Sequence, residues 1–259
     1  MPTYRLIETA GLTFIEPIWP VPSRIQARVT TRLGGVSAPP FQTLNLATHV
    51  GDSVEAVNAN RDRLAQVLQW SRLPRWLSQQ HTTTTLAWQG DDYDTPPVAD
   101  AIWTDLPEAV CPVMTADCLP ILISDRQGRF VSAVHAGWRG LLNGILAENL
   151  AHLPSPAHQL VAWIGPAISA AYFEVGTEVY DGFCAVSSEN EPYFAPSLRD
   201  GKWWADLPGL AEAALRRLSV CEVVQSGLCS YAREDWFYSY RRDGQTGRMA
   251  SLIWLSEIE

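Results

Sequence analysis

Two apolar runs that follow one another in residues 109–137 constrain the fold of this chain more than any other feature. They read AVCPVMTADCLPILISD and RFVSAVHAG, and they meet at the DRQG sequence of residues 125–128, which is typical of a tight turn. Short apolar runs bounded by turn residues are typical of strands with both faces buried. The sequence therefore predicts central, buried strands joined by a turn.

Other strands and helices are mixed along the chain without the regular alternation of a barrel or a doubly wound sheet. Strands are predicted at RIQARVTTR, QLVAWIGPAI, CEVVQSG and RMASLIWL, and helices at EAVNANRDRLAQVLQW, WRGLLNGILAENLAHL, TEVYDGFCAV and LAEAALRRLSV. Asp52, with Glu55 three residues later, is the predicted cap of the first helix. DDYDTPPVADAIWTD is predicted to be a polar connection, and SSENEPYFAPSLRDGK a mobile segment. We predict an α/β (α+β) protein with a single domain over residues 1–259.

Composition and charge restrict the possible partners. Hydrophobic residues make up 47% of the 259 residues, the formal net charge is −9 and the pI is about 5.0. Nucleic acids and anionic membranes attract basic surfaces, so we expect neither as a partner. The N-terminal region lacks a signal-peptide pattern and no apolar run is long enough to span a bilayer, which predicts a cytoplasmic location. The five cysteines should then be reduced thiols, with neither a disulfide framework nor a zinc ribbon.

Three residues near the ends of predicted strands form a candidate metal site: His81, Cys118 and His135. Two imidazoles and a thiolate suit Zn²⁺ or Cu²⁺, and a site with three protein ligands leaves a position open for catalysis. Asp117 adjoins the cysteine and is a candidate acid/base or supporting group. Each residue also has an ordinary interpretation, as a small core thiol, a surface histidine and a buried, hydrogen-bonded histidine.

The HAGWRG segment that contains His135 adds a candidate anion site. Gly137 and Gly140 permit tight turns, and Arg139 lies where the next helix is predicted to begin. A helix N-terminus with an arginine can bind an anion, although an ordinary strand-to-helix turn would have the same spacing.

Several blocks of sequence carry a resemblance that extends over nearly the whole chain. They are TTRLGGVSAPPFQTLNLATHVGD with NR at Asn60-Arg61, MTADCLPIL, HAGWRGL, WIGPAI, FEVG and FYSYRRDGQTGRMASLIWL. With these blocks in this order, the chain resembles the YfiH family, also described as the multicopper polyphenol oxidoreductase (laccase-like) or peptidoglycan editing factor family.

The resemblance implies a fold and a set of ligands. The fold is a layered α/β/β/α sandwich of the YfiH-like cysteine hydrolase type. The family's metal ligands correspond to His81, Cys118 and His135 of this chain. Relatives usually read QVHG around the first histidine, whereas this chain reads QQHT, with Thr82 in place of the glycine.

The resemblance also implies an activity. The expected reactions are phosphorolysis of adenosine, inosine and S-methyl-5′-thioadenosine to the free base and (methylthio)ribose 1-phosphate, and hydrolytic deamination of adenosine to inosine. An alternative is amide hydrolysis of UDP-MurNAc-L-Ser, either with the metal or with Cys118 as nucleophile and His135 as its base. A polyphenol oxidase ranks lower, because five histidines are too few for several copper centres, and a non-catalytic metal-binding protein also stays open.

Substrate contacts are predicted from basic and polar residues in the family blocks. The predicted substrate- or phosphate-binding residues are Arg32, Asn45, Arg61 and Arg139. Further candidates, which could equally be surface ion-pair partners, are Arg241, Arg242 and Arg248. Trp138 and Tyr240 could stack on a base. The expected partners are small molecules, a purine nucleoside with phosphate or UDP-MurNAc-L-Ser, and a monomer and a homodimer are equally compatible with the resemblance.

Overall fold

The computed structural model describes residues 2–90 and 95–257. Its strands, in chain order, are β1 Tyr4–Thr9, β2 Leu12–Pro17, β3 Ile25–Thr30, β4 Thr85–Ala87, β5 Ala101–Thr104, β6 Cys111–Thr115, β7 Leu119–Asp125, β8 Val131–Ala136, β9 Leu160–Ile164, β10 Glu174–Gly176, β11 Phe194–Pro196, β12 Lys202–Ala205, β13 Glu222–Gln225 and β14 Met249–Leu255. Its α-helices are α1 Val54–Leu68, α2 Trp138–Leu142, α3 Ile145–His152, α4 Thr177–Val186, α5 Leu207–Arg217 and α6 Tyr240–Asp243.

Two large sheets form the centre of the molecule. One has five strands in the order β1-β2-β3-β14-β6, all antiparallel to their neighbours. The other has six strands in the order β13-β9-β7-β8-β5-β4, with parallel pairs at its two edges. A small third sheet has the order β10-β12-β11. The buried hairpin expected around residues 125–128 is confirmed as β7 and β8, and Gly128 N donates to Asp125 O in its turn.

The two large sheets pack face to face, and helices cover their outer faces. In β8, Val131 and Ala133 belong to the core between the sheets, whereas Val134 and Ala136 belong to the core under α2 to α5. A third core, which includes Leu64 of α1, covers the outer face of the five-stranded sheet. Because strand side chains alternate between faces, these three cores define four layers. The predicted α/β/β/α arrangement is confirmed.

The helix predicted as one element from residue 138 to 153 is broken in the structure. Helix α2 ends at Leu142 and α3 begins at Ile145, because Gly144 adopts a left-handed φ of +93°. Five predicted core positions still lie on the sheet-facing side, with Leu141, Ile145 and Leu146 buried and Leu142 and Leu150 half-buried.

Two other sequence-based predictions are corrected. Ser53, not Asp52, caps α1, and its hydroxyl accepts a hydrogen bond from Ala56 N. Asp52 instead accepts hydrogen bonds from Ser37 and Asn45, so its carboxylate joins the preceding loop. The segment predicted to be mobile contains a 3₁₀ helix at Ser188–Tyr193 and strand β11. Residues 91–94 of the predicted polar connection lie outside the described residues.

Candidate functional site

His81, Cys118 and His135 meet at one end of the six-stranded sheet, and we call them the ligand cluster. Their ligand atoms all lie within 4.8 Å of one another. Cys118 immediately precedes β7 and His135 is the second-last residue of β8, where it pairs with Pro120. Hairpin register therefore brings the thiol and one imidazole together, and His81 comes from the loop before β4 with a left-handed φ of +59°.

Asp100 holds both histidines of the cluster in place. Its carboxylate accepts hydrogen bonds from the backbone N–H groups of Gln80, His81 and Thr82 and from the Thr82 hydroxyl. It also accepts a 2.7 Å hydrogen bond from Nδ1 of His135. The fully buried carboxylate thus shapes the loop that carries His81 and leaves Nε2 of His135 directed elsewhere.

The charged groups of the cluster shift one another's pKa values. Burial alone would raise the pKa of Asp100, but hydrogen bonds from His135 and Thr82 outweigh it and lower this pKa to about 2. Burial alone would lower the pKa of His135, but the Cys118 sulfur and the Asp100 carboxylate raise it to about 9. Desolvation, followed by the charge of His135, lowers the pKa of His81. The two imidazoles therefore differ in basicity, as expected where one has a carboxylate partner.

Gly137 makes room for the cluster. A Cβ atom at this position would lie 2.5 Å from both Nδ1 and Cε1 of His81, and 3.0 Å from Sγ of Cys118. The backbone of Gly137 has an ordinary extended conformation, so an alanine would fit its φ and ψ but not the space. The absence of a side chain here is what allows His81 and Cys118 to approach each other.

The ligand cluster lines a cavity of about 470 Å³, which is large enough for a nucleoside-sized ligand. The other polar, charged and aromatic lining residues are His49, Gln79, Thr115, Asp117, Trp138, Arg139, Phe173, Tyr240, Arg241 and Arg248. Gln79 is fixed by two hydrogen bonds with the backbone of Met114, which anchors the loop before His81. Tyr240 is 62% exposed, so its ring is available to a ligand at the cavity mouth.

Asp117 links the cavity to the C-terminal part of the chain. Its φ is +92°, in the left-handed region, and its side chain is nearly buried. One carboxylate oxygen accepts from the Ser230 hydroxyl and the other from the backbone N–H of Arg241. Asp117, which adjoins Cys118, therefore ties the ligand cluster to α6, which contains Tyr240.

The basic and polar residues predicted to bind substrate separate into two groups. Arg139 lines the cavity, with its guanidinium 4.3 Å from the centre of the Trp138 ring. Arg32, Asn45 and Arg61 do not belong to the lining, and their polar groups are engaged within the protein. Arg32 donates to Gln42 O and Glu234 O, Asn45 bonds the backbone of Ala47, and Arg61 donates twice to Leu46 O.

The three C-terminal arginine candidates also separate. Arg241 and Arg248 line the cavity, whereas Arg242 donates to the carbonyl groups of Ser230, Tyr231 and Phe237. Burial lowers the pKa of Arg248, and nearby Cys118 and Asp117 partly offset this effect. Arg242 therefore stabilises the fold at this end of the chain.

Sequence reasoning missed His49, Gln79 and Asp100. His49 lies within the block TTRLGGVSAPPFQTLNLATHVGD, and Gln79 is the first residue of QQHT. Their positions in these segments could have indicated both residues. Desolvation, followed by the nearby charges of Arg248 and Arg61, lowers the pKa of His49. Asp100 gave no local clue, because its partner His135 is 35 positions away.

A family model described as multi-copper polyphenol oxidoreductase laccase matches residues 26–256. The chain belongs to this family. The protein named purine nucleoside phosphorylase from Pseudomonas aeruginosa is 45% identical over 246 residues, which cover 94% of this chain and 99% of that protein. The Escherichia coli protein named purine nucleoside phosphorylase YfiH is 42% identical over 93% of this chain and 98% of its own length.

Solved structures of proteins similar in sequence to this chain have the same fold. A Neisseria meningitidis protein of the DUF152 family superposes with a TM-score of 0.89 at 44% identity, covering 94% of this chain and 99% of the other. A Bacillus licheniformis YfiH protein, described as hypothetical, has a TM-score of 0.89 at 28% identity, covering 99% of this chain and all of the other. The predicted family and fold are both confirmed.

The ligand cluster fits a metal ion by the chemistry of its donors. Two imidazoles and one thiol are a ligand set that Zn²⁺ and Cu²⁺ accept, and three protein ligands leave an open position. The hydrogen bond from His135 to Asp100 is the supporting contact that metal-binding histidines usually have. Among residues 2–90 and 95–257, this is the one group of three or more potential metal ligands.

No helix in the described residues is long and apolar enough to cross a membrane.

Proposed function

We propose that the protein is a purine nucleoside phosphorylase that also deaminates adenosine, with His81, Cys118 and His135 holding Zn²⁺ or Cu²⁺. The observation that carries the proposal is the convergence of this His/Cys cluster with arginines and aromatic rings in one cavity. Relatives at 45% and 42% identity that carry the name purine nucleoside phosphorylase support it. Adenosine, inosine and S-methyl-5′-thioadenosine are the proposed substrates.

Phosphorolysis requires an anion and a nucleoside to be held side by side. A phosphate oxygen forms a bond to C1′ of the ribose as the bond from C1′ to the base breaks. The electron pair of the broken bond stays on the base, which takes up a proton. Arginine guanidinium groups bind phosphate through paired hydrogen bonds, and the rings of Trp138, Phe173 or Tyr240 can contact the base.

Deamination replaces the exocyclic amine of adenosine with oxygen from water and releases ammonia. A bound metal supplies the Lewis acidity that activates water at neutral pH. The protein contributes the support: Asp100 orients His135 and the His81 loop, and Gly137 leaves space for the cluster. Both carboxylate oxygens of Asp117 already accept hydrogen bonds, which favours a positioning role over proton transfer for this predicted catalytic residue.

The test is product analysis by mass spectrometry of purified, metal-quantified protein incubated with adenosine. We expect adenine and ribose 1-phosphate only when phosphate is present, and inosine with or without phosphate. Cys118→Ser and His135→Ala should abolish both reactions. Cys221→Ser is the matched control, because Cys221 is an exposed thiol that does not line the cavity. If the wild type yields no product from adenosine under either condition, the proposal is wrong.

A second candidate is amide hydrolysis of UDP-MurNAc-L-Ser, which one specific arrangement favours. His135 interacts with the sulfur of Cys118 and donates from Nδ1 to Asp100. A thiol, an imidazole and an orienting carboxylate are the parts of a cysteine nucleophile site. Hydrolysis of this substrate that survives complete chelation would support the thiol mechanism, and hydrolysis lost on chelation and restored by Zn²⁺ would support the metal.

A further inference from the structure

The charge of the cavity differs in sign from that of the protein. The chain has a formal net charge of −9, yet the cavity lining contains Arg139, Arg241 and Arg248 against a single carboxylate, that of Asp117. Within the part of the chain that the structure describes, none of these arginines forms a salt bridge within 4.0 Å, unlike Arg28, Arg129 or Arg242. Unpaired cations that converge on a cavity in an acidic protein indicate an anionic ligand.

Arg248 is the arginine that the fold holds most firmly in the cavity. Its backbone N–H donates to Oδ1 of Asn45, and its Nη1 donates to the carbonyl groups of Thr246 and Gly247. These contacts fix the guanidinium through Nη1. Among the hydrogen bonds of the described residues, none uses Nε or Nη2 of Arg248, so these two adjacent donors can bind a ligand. Two adjacent guanidinium donors match two oxygens of a phosphate group.

His49 and Tyr240 are the neighbours of Arg248. His49 lines the same cavity as Arg248, and its pKa is lowered by desolvation and then by the charge of Arg248. The Tyr240 ring centre lies 5.9 Å from the Arg248 guanidinium carbon. A phosphate group bound to Arg248 would therefore lie in a cavity that also contains the His49 imidazole, with the Tyr240 ring beside it.

The other two cavity arginines are held differently. Arg139 is exposed, with its guanidinium carbon 4.3 Å from the centre of the Trp138 ring, and Arg241 is exposed and donates from Nη1 to the carbonyl group of Glu174. Their guanidinium groups are tied to the cavity by fewer contacts than that of Arg248. Arg248 was a weaker sequence-based candidate than Arg32 or Arg61, which the structure places outside the lining.

We infer that Arg248, assisted by His49, forms the subsite that binds a phosphate group in this cavity. The inference rests on the proposed function, in which the group is inorganic phosphate, the co-substrate of phosphorolysis. The same guanidinium would bind one phosphate of a nucleoside diphosphate if the substrate were a nucleotide sugar. Inorganic phosphate and a nucleoside diphosphate both present a phosphate oxyanion to Arg248. The experiment below distinguishes these two ligands.

The experiment compares metal-loaded wild type, Arg248→Gln, Arg248→Lys and Arg126→Gln. Arg126 is the control, because it is half exposed in the β7–β8 turn and pairs with Glu222. Phosphate and adenosine are varied separately in the phosphorolysis assay. Binding of inorganic phosphate and of uridine diphosphate is measured by titration calorimetry. Thermal unfolding and metal content are recorded for every variant.

We expect Arg248→Gln to raise the KM for phosphate about tenfold or more, because a charge-assisted hydrogen-bonded pair is lost. The KM for adenosine should change much less. Arg248→Lys should also raise the KM for phosphate, since lysine keeps the charge but lacks the planar pair of donors. The control should behave as the wild type. If Arg248→Gln loses its cooperative thermal transition, the lysine variant provides the test.

The outcomes distinguish this inference from the proposed function. If the wild type phosphorolyses adenosine and neither Arg248 variant changes the KM for phosphate, the subsite is wrong and the proposed function stands. If the wild type gives no phosphorolysis but binds uridine diphosphate, and Arg248→Gln weakens that binding, the subsite stands with a diphosphate ligand. If phosphorolysis is absent and the variants bind both anions as the wild type does, both are wrong.

Discussion

Asp100 and His135 are joined twice, once through their side chains and once through their backbones. Nδ1 of His135 donates to Oδ1 of Asp100 at 2.7 Å, and the His135 backbone N–H donates to the Asp100 carbonyl group at 2.7 Å. The second bond belongs to the pairing of β5 with β8, where Ala101 lies opposite Val134. The orientation of the imidazole is therefore set by the sheet itself.

Replacing this carboxylate should weaken metal binding through both histidines. In Asp100→Asn, one acceptor oxygen for the His81 loop is replaced by an amide group, and the imidazole of His135 loses its anionic partner. We expect the affinity for Zn²⁺ to fall about 10- to 100-fold, as for other partners of metal-binding histidines. Competition with a chromophoric chelator measures the affinity.

The control for the carboxylate variant is Asp105→Asn, which changes an exposed carboxylate just beyond β5. Wild-type affinity in Asp100→Asn, with the fold intact by thermal unfolding, would contradict the supporting role of Asp100.

Gly137→Ala should disrupt the ligand cluster with little effect on the backbone. The added Cβ would lie 2.5 Å from the His81 ring and 3.0 Å from the Cys118 sulfur, so one of these ligands must move. We expect the variant to lose most of its bound metal, as measured by elemental analysis. Overpacking at this position should lower the free energy of unfolding of the metal-free protein by about 1–3 kcal/mol.

Gly140→Ala is the matched control for the alanine at position 137. Its Cβ would have no neighbour closer than 3.5 Å, and the residue lies inside α2. Alanine should raise the free energy of unfolding by up to about 1 kcal/mol and leave the metal content unchanged. Equal metal loss in both variants would argue against a specific role for Gly137.

Thr82→Val tests the contribution of a hydroxyl that a glycine at this position could not supply. The Thr82 hydroxyl donates to Oδ2 of Asp100 at 2.8 Å, and valine keeps the shape but not the donor. We expect the free energy of unfolding to fall by about 1 kcal/mol and the affinity for Zn²⁺ to fall less than in Asp100→Asn. Thr83→Val is the control, and an effect of the same size there would refute the assignment.

The stability of the β7–β8 turn should depend on pH through Asp125. Burial alone would raise the pKa of this carboxyl, but hydrogen bonds from Arg129 and Ser155 outweigh it and lower the pKa. A lowered folded-state pKa stabilises the fold above the unfolded-state pKa of about 3.9, and this stabilisation disappears as the pH falls through the folded-state value.

The loss in the free energy of unfolding caused by Asp125→Asn should therefore be largest at neutral pH. We expect a loss of about 1–3 kcal/mol at about pH 7, which shrinks as the pH is lowered below about 4, in urea unfolding experiments. Asp62→Asn, at an exposed position of α1, is the control. A difference between wild type and Asp125→Asn that stayed constant with pH would contradict the prediction.

The parts of the fold that were predictable from the sequence are those with local patterns. Strands β7 and β8 and their turn are continuous in sequence, so apolar runs and turn residues were sufficient to locate them. The N-terminal hairpin was missed, because all six residues of β1 are exposed or half-buried and carry no apolar pattern. The break at Gly144 was missed, because the leucine spacing continues through it.

The sequence predicted only those parts of the candidate site that the residue types themselves indicate. Histidines and a cysteine near strand ends suggested the ligand cluster, and the structure brings them together. The cap of α1 was assigned to Asp52 because Asp52 and Ser53 are both good capping residues and lie side by side. Arg248 and Arg61 look alike in the sequence, and only the tertiary structure shows that one lines the cavity while the other donates to Leu46.

The position of β14 has a consequence for synthesis on the ribosome. This strand lies between β3 and β6, and it is separated from β3 by most of the chain. Until residues 249–255 leave the exit tunnel, β3 and β6 each lack a neighbour and expose an unpaired edge. The nascent chain must therefore keep these edges from pairing with other chains until β14 has been made, and a chain truncated shortly before β14 would have this sheet divided in two.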